Sequence, residues 1–180
     1  MDYIEIIKAC YRPDSRSYAL LTDHGQHVAE KALEAAANVR YLNPDLGFIK
    51  EAAFLHDIGI CFTDAPSLSC SGDHPYICHG YLGRMFLESR GLFRHALVCE
   101  RHIGTGLSAR DIRKQKLPLP DRDMMPLSIE EQIVCYADNF FSKDGQLPAR
   151  EKSVMEIIAG LERFGPEKVE TFLSWVALFG

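Results

Sequence analysis

The stretch Ala53-Phe54-Leu55-His56-Asp57-Ile58-Gly59 places a histidine and an aspartate side by side in an otherwise apolar run. It ends a predicted helix that begins at Asn43-Pro44-Asp45, where Asn and Asp can cap the free N–H groups and Pro fits the first turn. On that helix His56 shares a face with Ile49 and Ala52. A buried His beside a buried Asp is unstable unless a partner satisfies both, and a divalent cation is one such partner.

Other predicted helices carry a His or Asp on an apolar face. In the helix over 19–42, His24 lies at the edge of the apolar stripe, whereas His27 falls about 60° further toward the polar side. Asp138 follows the apolar run Ile133-Val134-Cys135-Tyr136-Ala137. The whole set on apolar faces is His24, His56 with Asp57, His79, His102 and Asp138.

Each member of this set has an alternative interpretation. A single inward histidine is more often a hydrogen-bonded core residue, and a single buried aspartate is as often a cap or an ion-pair partner. The joint pattern favours a metal site, because mixed nitrogen and oxygen ligands suit Mn, Fe, Zn or Co. Six groups exceed the needs of one tetrahedral site, which points to two divalent transition-metal ions.

The remaining pattern predicts an all-α, single-domain helical bundle of about seven helices over residues 1–180, with no strands. The motif-bearing core covers about 20–142, and C-terminal helices over 148–180 are expected to pack on it. Residues 62–74 form a predicted loop, and the proline-rich segment 117–127 is either a lid over the substrate or a plain connector. Phe172, Trp175 and Phe179 are expected to complete the core or a homodimer face rather than to hold a nucleotide base.

Composition limits the classes of function. The 180 residues carry a net charge of −5, which argues against binding to a nucleic-acid duplex. No apolar run has the ~20 residues needed to span a membrane, so no membrane association is expected. The six cysteines include no Cys-x-x-Cys pair, and we expect reduced thiols in a cytoplasmic protein.

In order and local sequence, these residues resemble the HD-domain superfamily of metal-dependent phosphohydrolases. His24-Gly25-Gln26-His27-Val28-Ala29 is similar to the first ligand segment of that family, Ala53–Gly59 to its signature, and Tyr136-Ala137-Asp138-Asn139 to its last ligand segment. The resemblance implies an orthogonal helical bundle with the ligands His24, His56, Asp57 and Asp138. It also implies that His79 and His102 are the two additional ligands of the two-metal branches. The Gly-Tyr-Pro signature of cyclic-di-GMP hydrolases is not evident, so that substrate is not expected.

The predicted reaction is hydrolysis of a phosphoester or phosphoanhydride bond in a small phosphorylated or nucleotide-like substrate. Asp57 is expected either to bind metal and orient the attacking water or to bridge the two ions. Arg101 and Lys143 are expected to stabilise charge on the transferring group. Arg84 and Arg122 are weaker candidates, and each of these cations is as readily explained as a solvated surface charge. The alternative function is a non-catalytic metal- or nucleotide-binding helical module.

Overall fold

The computed structural model describes residues 1–143, 147–148 and 150–180. Nine α-helices account for most of this part of the chain and confirm the predicted helical bundle. They are α1 (Tyr3–Lys8), α2 (Arg16–Asn38), α3 (Leu46–Leu55), α4 (His79–Glu88), α5 (Phe93–Arg101), α6 (Ala109–Gln115), α7 (Ile129–Asp138), α8 (Val154–Leu161) and α9 (Pro166–Phe179). No helix in these residues is long and apolar enough to cross a membrane.

The long helix α2 lies at the centre of the bundle, where it packs against α3, α7 and α9. Its buried face is lined by small residues, including Ala29, Ala32 and Ala36, which let neighbouring helices approach closely. Gly25 shows how close this approach is, since a Cβ there would lie 3.2 Å from Cα of Phe54 on α3. This packing brings the middle of α2, with His24, against the end of α3.

The predicted absence of strands is wrong in one place. Between α3 and α4, the short strands β1 (Thr63–Ala65), β2 (Cys70–Ser71) and β3 (His74–Pro75) form a sheet in the order β2-β1-β3. β1 pairs with β2 in the antiparallel and with β3 in the parallel sense. Strands of two or three residues are too short to show an alternation of apolar and polar positions, so the composition of 62–74 indicated only a loop.

A short N-terminal helix, α1, was not predicted either. Its N-cap is Asp2, whose side chain accepts hydrogen bonds from the backbone N–H groups of Ile4 and Glu5. Six residues span fewer than two turns, so no apolar period is visible in the sequence. Its buried residue Ile7 packs into the core, and the following Tyr11 is buried next to the segment that carries Asp57.

Several helices end earlier than predicted. α2 ends at Asn38 and is followed by a 3₁₀ turn over Arg40–Leu42, whereas α3 covers only Leu46–Leu55. The sequence predicts a helix from Ser128 to about residue 142, but α7 ends at Asp138. α8 begins at Val154 rather than near 148. Residue 149 of that predicted helix lies outside the described residues. Because α3, α5 and α7 end at Leu55, Arg101 and Asp138, the side chains of His56, His102 and Asp138 lie at helix ends.

The C-terminal helices complete the core. Phe172, Trp175 and Phe179 on α9 are all buried, and Phe172 and Phe179 contact the ring of Tyr136 on α7. Asn38 at the end of α2 donates a 2.8 Å hydrogen bond to the carbonyl of Phe179. The core alternative predicted for these aromatic residues therefore describes their position within this chain.

Candidate metal centre

Six side chains predicted as metal ligands converge on one buried centre. His24 comes from the middle of α2, and His79 is the first residue of α4. His56 and His102 directly follow the last residues of α3 and α5, and Asp138 is the last residue of α7. His24, His56, Asp57, His79, His102 and Asp138 are each at most 7% exposed.

The first group of ligands contains His24, His56, Asp57 and Asp138. Asp138 Oδ1 lies 2.9 Å from His24 Nε2 and 3.3 Å from His56 Nε2. Asp57 Oδ2 lies 3.5 Å and 3.3 Å from the same two nitrogen atoms. Two imidazoles and two carboxylates therefore point their donor atoms at one small volume.

The second group contains His79, His102 and the other oxygen of Asp57. Asp57 Oδ1 lies 3.4 Å from His79 Nε2 and 3.2 Å from His102 Nε2. Each oxygen of Asp57 thus faces a different pair of histidines, and the carboxylate lies between the two groups. Both oxygens are buried and accept no well-formed hydrogen bond from the described residues.

The tautomers of three histidines fit a metal centre. Nδ1 of His56, His79 and His102 each lies 2.7–2.8 Å from the carbonyl oxygen of the residue three positions earlier. Since a carbonyl only accepts, each Nδ1 carries a proton and donates it, so that the neutral form of each imidazole has its lone pair on the inward Nε2.

The spacing of the donor atoms also fits a metal ion. His79 Nε2 and His102 Nε2 lie 3.1 Å apart, although both present lone pairs. Two nitrogen atoms that bind one ion at about 2.1 Å are about 3.0–3.4 Å apart. Together with the unsatisfied oxygens of Asp57, this geometry fits a divalent ion in each group.

Charges in the centre are coupled to one another. Burial alone would raise the pKa of Asp57, but the positive charges of His56 and Lys143 hold it well below its usual range. Burial would lower the pKa of His56, but Asp57 and Asp138 raise it to about 9. Burial lowers the pKa of His79 to about 3, so this imidazole is neutral and able to bind metal.

Lys143 lies in this centre, whereas Arg101 does not. Lys143 Nζ is 2.8 Å from Asp138 Oδ1 and 3.2 Å from Asp57 Oδ2. The guanidinium of Arg101 instead contacts both carboxylate oxygens of Glu131 on α7, at 2.9 and 3.1 Å. The weaker candidates Arg84 and Arg122 both pair with the buried carboxylate of Glu100. Of these four cations, the structure brings only Lys143 to the predicted ligands.

Two glycines let α4 approach the His-Asp segment. A Cβ on Gly59 would lie 2.1 Å from the carbonyl oxygen of His79 and 2.4 Å from the backbone nitrogen of Gly83. A Cβ on Gly83 would lie 2.2 Å from Cys99 Sγ. The space at Gly83 is therefore taken by Cys99 and not by the His79 imidazole. Both glycines permit contact between backbones, because no side chain fits between these elements.

Several residues that support the centre were missed at the sequence level. The hydroxyl of Tyr11 donates to the carbonyl of Ile58 and accepts from the backbone N–H of Cys61, which fixes the turn after Asp57. Cys99 Sγ donates to the carbonyl of His56. Asn139 Nδ2 donates to the carbonyl of Gly104. Only Asn139 carried a sequence signal, since it directly follows Asp138.

A small cavity of about 30 Å³ adjoins the first group, next to His24, Asp57 and Lys143. Its other walls include the side chains of Tyr11, Leu20 and Ile60. This volume is large enough for a water molecule beside the carboxylate of Asp57.

The remaining histidines and the 117–127 segment lie outside the centre. His27 is at the rim, where Nδ1 lies 2.8 Å from the carbonyl oxygen of Asp23. His74 is exposed, and His95 pairs with Glu51. The 117–127 segment is fixed by an antiparallel bridge between Met124 and Leu107 and by the Arg122–Glu100 ion pair. These contacts favour a connector over a lid.

Comparison with known proteins finds relatives that are named as tRNA methyltransferases and one that is uncharacterized. No protein-family model matches the chain. It is 31% identical over 159 residues to a tRNA (cytidine(56)-2'-O)-methyltransferase from Thermoplasma volcanium, covering 87% of the chain and 42% of that protein. It is 32% identical over 122 residues to an uncharacterized protein from Methanocaldococcus jannaschii, covering 66% and 64%. A methyltransferase of the same name from Picrophilus torridus is 35% identical over 101 residues, covering 56% and 26%.

The chain therefore spans less than two thirds of the length of these relatives. Among solved structures, the chain is similar to the HD domain of the Listeria monocytogenes phosphodiesterase PgpH. The TM-score is 0.53, the identity is 15%, and the match covers 97% of this chain and 94% of that one. At this identity the likeness concerns the fold.

Proposed function

Because the chain has the fold of an HD domain and a buried His/Asp cluster that fits an HD-type metal site, we propose that it is a metal-dependent phosphohydrolase. Its substrate is a small phosphorylated, nucleotide-like molecule, cleaved at a phosphoester or phosphoanhydride bond. One observation carries the proposal: the two oxygens of Asp57 face two separate pairs of inward histidine nitrogens.

In this proposal two divalent ions are held, one by each ligand group. His24, His56, Asp57 and Asp138 would hold the first ion, and Asp57, His79 and His102 would hold the second. Such ions, when bound, polarise a phosphoryl oxygen and lower the pKa of a water molecule. Mn, Fe, Zn and Co all suit this set of nitrogen and oxygen ligands.

The chain's own groups orient the reactants. Asp57 accepts a hydrogen bond from the attacking water in the adjoining cavity, and the apolar walls at Leu20 and Ile60 keep other water away. The ammonium of Lys143, next to the same cavity, stabilises the negative charge that develops on the phosphoryl oxygens. Arg101 already pairs with Glu131. Its guanidinium therefore acts on the transferring phosphoryl group only through the long-range effect of its charge.

The alternative is a non-catalytic metal- or nucleotide-binding module. The names of two relatives favour it, because each is called a tRNA methyltransferase and the chain covers only 42% and 26% of them. In such a methyltransferase, the part that is similar to this chain would support an activity located in another part of the same protein. The intact ligand set favours catalysis instead, since a module that only binds has less need of an ion that activates water.

Assays of the metal-loaded protein separate the two functions. The protein is stripped with a chelator, loaded with Mn²⁺, Fe²⁺, Co²⁺ or Zn²⁺, and incubated with nucleotides, dinucleoside polyphosphates and cyclic nucleotides. Catalysis predicts turnover by the wild type and loss of turnover in Asp57→Asn with retained helical circular dichroism. Asp64→Asn, at an exposed aspartate of β1, is the matched control and should keep full activity. Metal binding without turnover of any substrate would favour the non-catalytic module.

A further inference from the structure

Two adjoining cavities lie between α6 and the segment that joins α8 to α9. The first has a volume of about 110 Å³ and the second a volume of about 510 Å³, and Phe164 and Lys168 line both of them. None of the six side chains of the metal centre lines either cavity. A ligand held here would therefore occupy a site of its own.

The first cavity is mainly apolar but contains one unsatisfied hydroxyl. Its walls include Ile77, Leu107 and Leu117. Thr105, which also lines it, is 1% exposed, and its Oγ1 has no hydrogen-bond partner among the described residues. A buried hydroxyl without a partner is costly, so a ligand that bonds to it is favoured. A flat ring with a polar edge meets this requirement, whereas a hydrocarbon chain does not.

The second cavity is bordered by two free cations. Arg110 and Lys114 are exposed, and they lie four residues apart on one face of α6. In the part of the chain that the structure describes, neither side chain forms a hydrogen bond or an ion pair. Two neighbouring cations without partners suit a phosphate group, because its oxygens can accept hydrogen bonds from both.

Lys168 connects the two cavities. It is 7% exposed, and its Nζ donates to the carbonyl of Gly106 at 2.8 Å and to Asp111 Oδ2 at 2.7 Å. An ammonium has three N–H donors, so these contacts leave one for a ligand. Asp111 balances the charge of Lys168, and Glu167 is the other carboxylate beside the second cavity. The two cations on α6 therefore leave one positive charge in excess, which favours an anion.

We propose that the two cavities form one site for a nucleotide unit, that is, a base with its phosphate. The base occupies the first cavity, where it stacks on the ring of Phe164, which is 41% exposed, and bonds to the hydroxyl of Thr105. The phosphate occupies the second cavity and pairs with Arg110 and Lys114. The same unit occurs in a free nucleoside monophosphate and in a single-stranded oligonucleotide.

The first test uses a fluorescent reporter at the site. Phe164→Trp places an indole there, and the one natural tryptophan, Trp175, is 4% exposed and away from both cavities. The Mn²⁺-loaded reporter protein is titrated with AMP, GMP, CMP and UMP, and at least one should change the emission saturably. Adding Lys114→Gln should raise that Kd about tenfold, because a charge-assisted hydrogen bond is lost. Adding Lys50→Gln, at an exposed lysine of α3, is the matched control and should leave it unchanged.

Further titrations of the reporter protein identify the ligand. Binding of a six-nucleotide oligoadenylate at least tenfold tighter than AMP, and still dependent on Lys114, would identify a nucleotide within a strand. Weaker or equal binding would identify a free nucleotide. Inorganic phosphate that binds as tightly as every monophosphate would overturn the proposal, because the base would then contribute nothing. So would emission that none of the four monophosphates changes at millimolar concentration, or a Kd that Lys114→Gln leaves unchanged.

The second test locates the bound nucleotide in the wild type. The monophosphate that binds most tightly should slow amide hydrogen exchange in 103–107 and 161–168, and Lys114→Gln should abolish this protection at the same concentration. Protection confined to the segments that carry the metal ligands would overturn the proposal. In Asp57→Asn the protection of 103–107 and 161–168 should persist, so the site can be confirmed even if the protein proves to have no phosphohydrolase activity.

Discussion

Lys143 Nζ lies 2.8 Å from Asp138 Oδ1, the same carboxylate oxygen that lies 2.9 Å from His24 Nε2. The ammonium also reaches Asp57 Oδ2, so it occupies the side of both carboxylates that a cation in the first ligand group would use. A metal ion in the first ligand group would therefore compete with the lysine for the same negative charge.

This competition predicts opposite effects of one substitution on binding and on catalysis. Lys143→Met should tighten metal binding by about tenfold, because the carboxylates no longer have an internal counter-ion. The same change should lower kcat by at least about tenfold, because a charge-stabilising group is lost. Metal titration by calorimetry and turnover by the loaded protein measure the two effects. Metal binding that weakens in Lys143→Met would contradict the competition, and Lys50→Met serves as the control.

The two ligand groups predict a stepwise loss of metal. His24→Ala removes a ligand of the first group only, and His79→Ala removes one of the second only. Each variant should retain about one ion per chain where the wild type holds about two, whereas Asp57→Asn should lose affinity at both positions. Elemental analysis after gel filtration gives these ratios. A wild-type ratio of one ion per chain, unchanged in His79→Ala, would show that the second group binds no metal.

The ion pair between Asp111 and Lys168 predicts a pH-dependent contribution to stability. Lys168 Nζ lies 2.7 Å from Asp111 Oδ2, which also accepts from the backbone and hydroxyl of Ser108. Burial alone would raise the pKa of Asp111, but these bonds lower it to about 2. A depressed folded-state pKa stabilises the protein above the unfolded value near 4, and this contribution is lost as the pH falls through about 2.

Asp111→Asn should therefore lower the free energy of unfolding by about 1–2 kcal/mol at pH 7. The difference from the wild type should shrink between about pH 4 and pH 2, where the wild-type carboxylate takes up its proton. Urea unfolding of the metal-free protein across this range measures it. Asp121→Asn, in the exposed pair with Arg113, should change the same free energy by less than about 0.5 kcal/mol. A difference that stays constant with pH would exclude the ionised carboxylate as the cause.

The buried carboxylate of Glu100 predicts how the proline-rich segment behaves. Glu100 is 1% exposed and pairs with Arg84 on α4 and with Arg122 in the 117–127 segment. Arg122→Ala should speed amide hydrogen exchange in residues 117–127 and leave turnover within about twofold of the wild type, because the segment is a connector. Glu100→Gln should cost about 3 kcal/mol of stability, since two guanidinium groups lose their partner. A loss of turnover in Arg122→Ala would instead indicate a lid.

The sequence predicted which residues come together in the metal centre, but not that several of them lie at helix ends. Helical periodicity placed His24 inward and His27 at the rim, as the structure has them. It treated His56, His102 and Asp138 as residues on helix faces, whereas His56 and His102 follow helix ends and Asp138 is the last residue of α7. Helix ends are where periodicity is least informative, because packing decides whether the last turn continues. His56 and Asp57 can point into one centre only because α3 stops at Leu55.

Contacts between segments that are distant in the sequence could not be predicted either. Arg101 belongs to α5 and its partner Glu131 to α7, so the ion pair that keeps Arg101 away from the ligands has no local signature. The same holds for the hydrogen bond from the backbone N–H of Lys152 to the carbonyl of Phe140. Lys143 could be predicted because it lies five residues after Asp138 in the same segment.

The absence of a side chain at Gly59 has a consequence for how such proteins are recognised. Even a methyl group there would force α4 outward, and His79 would move with it while all six donor residues kept their places in the sequence. The second ligand pair would then open although the His-Asp pair itself was untouched. A search that counts only histidines and aspartates would score such a variant as intact, so the residue at this position is a separate criterion for a competent two-ion centre.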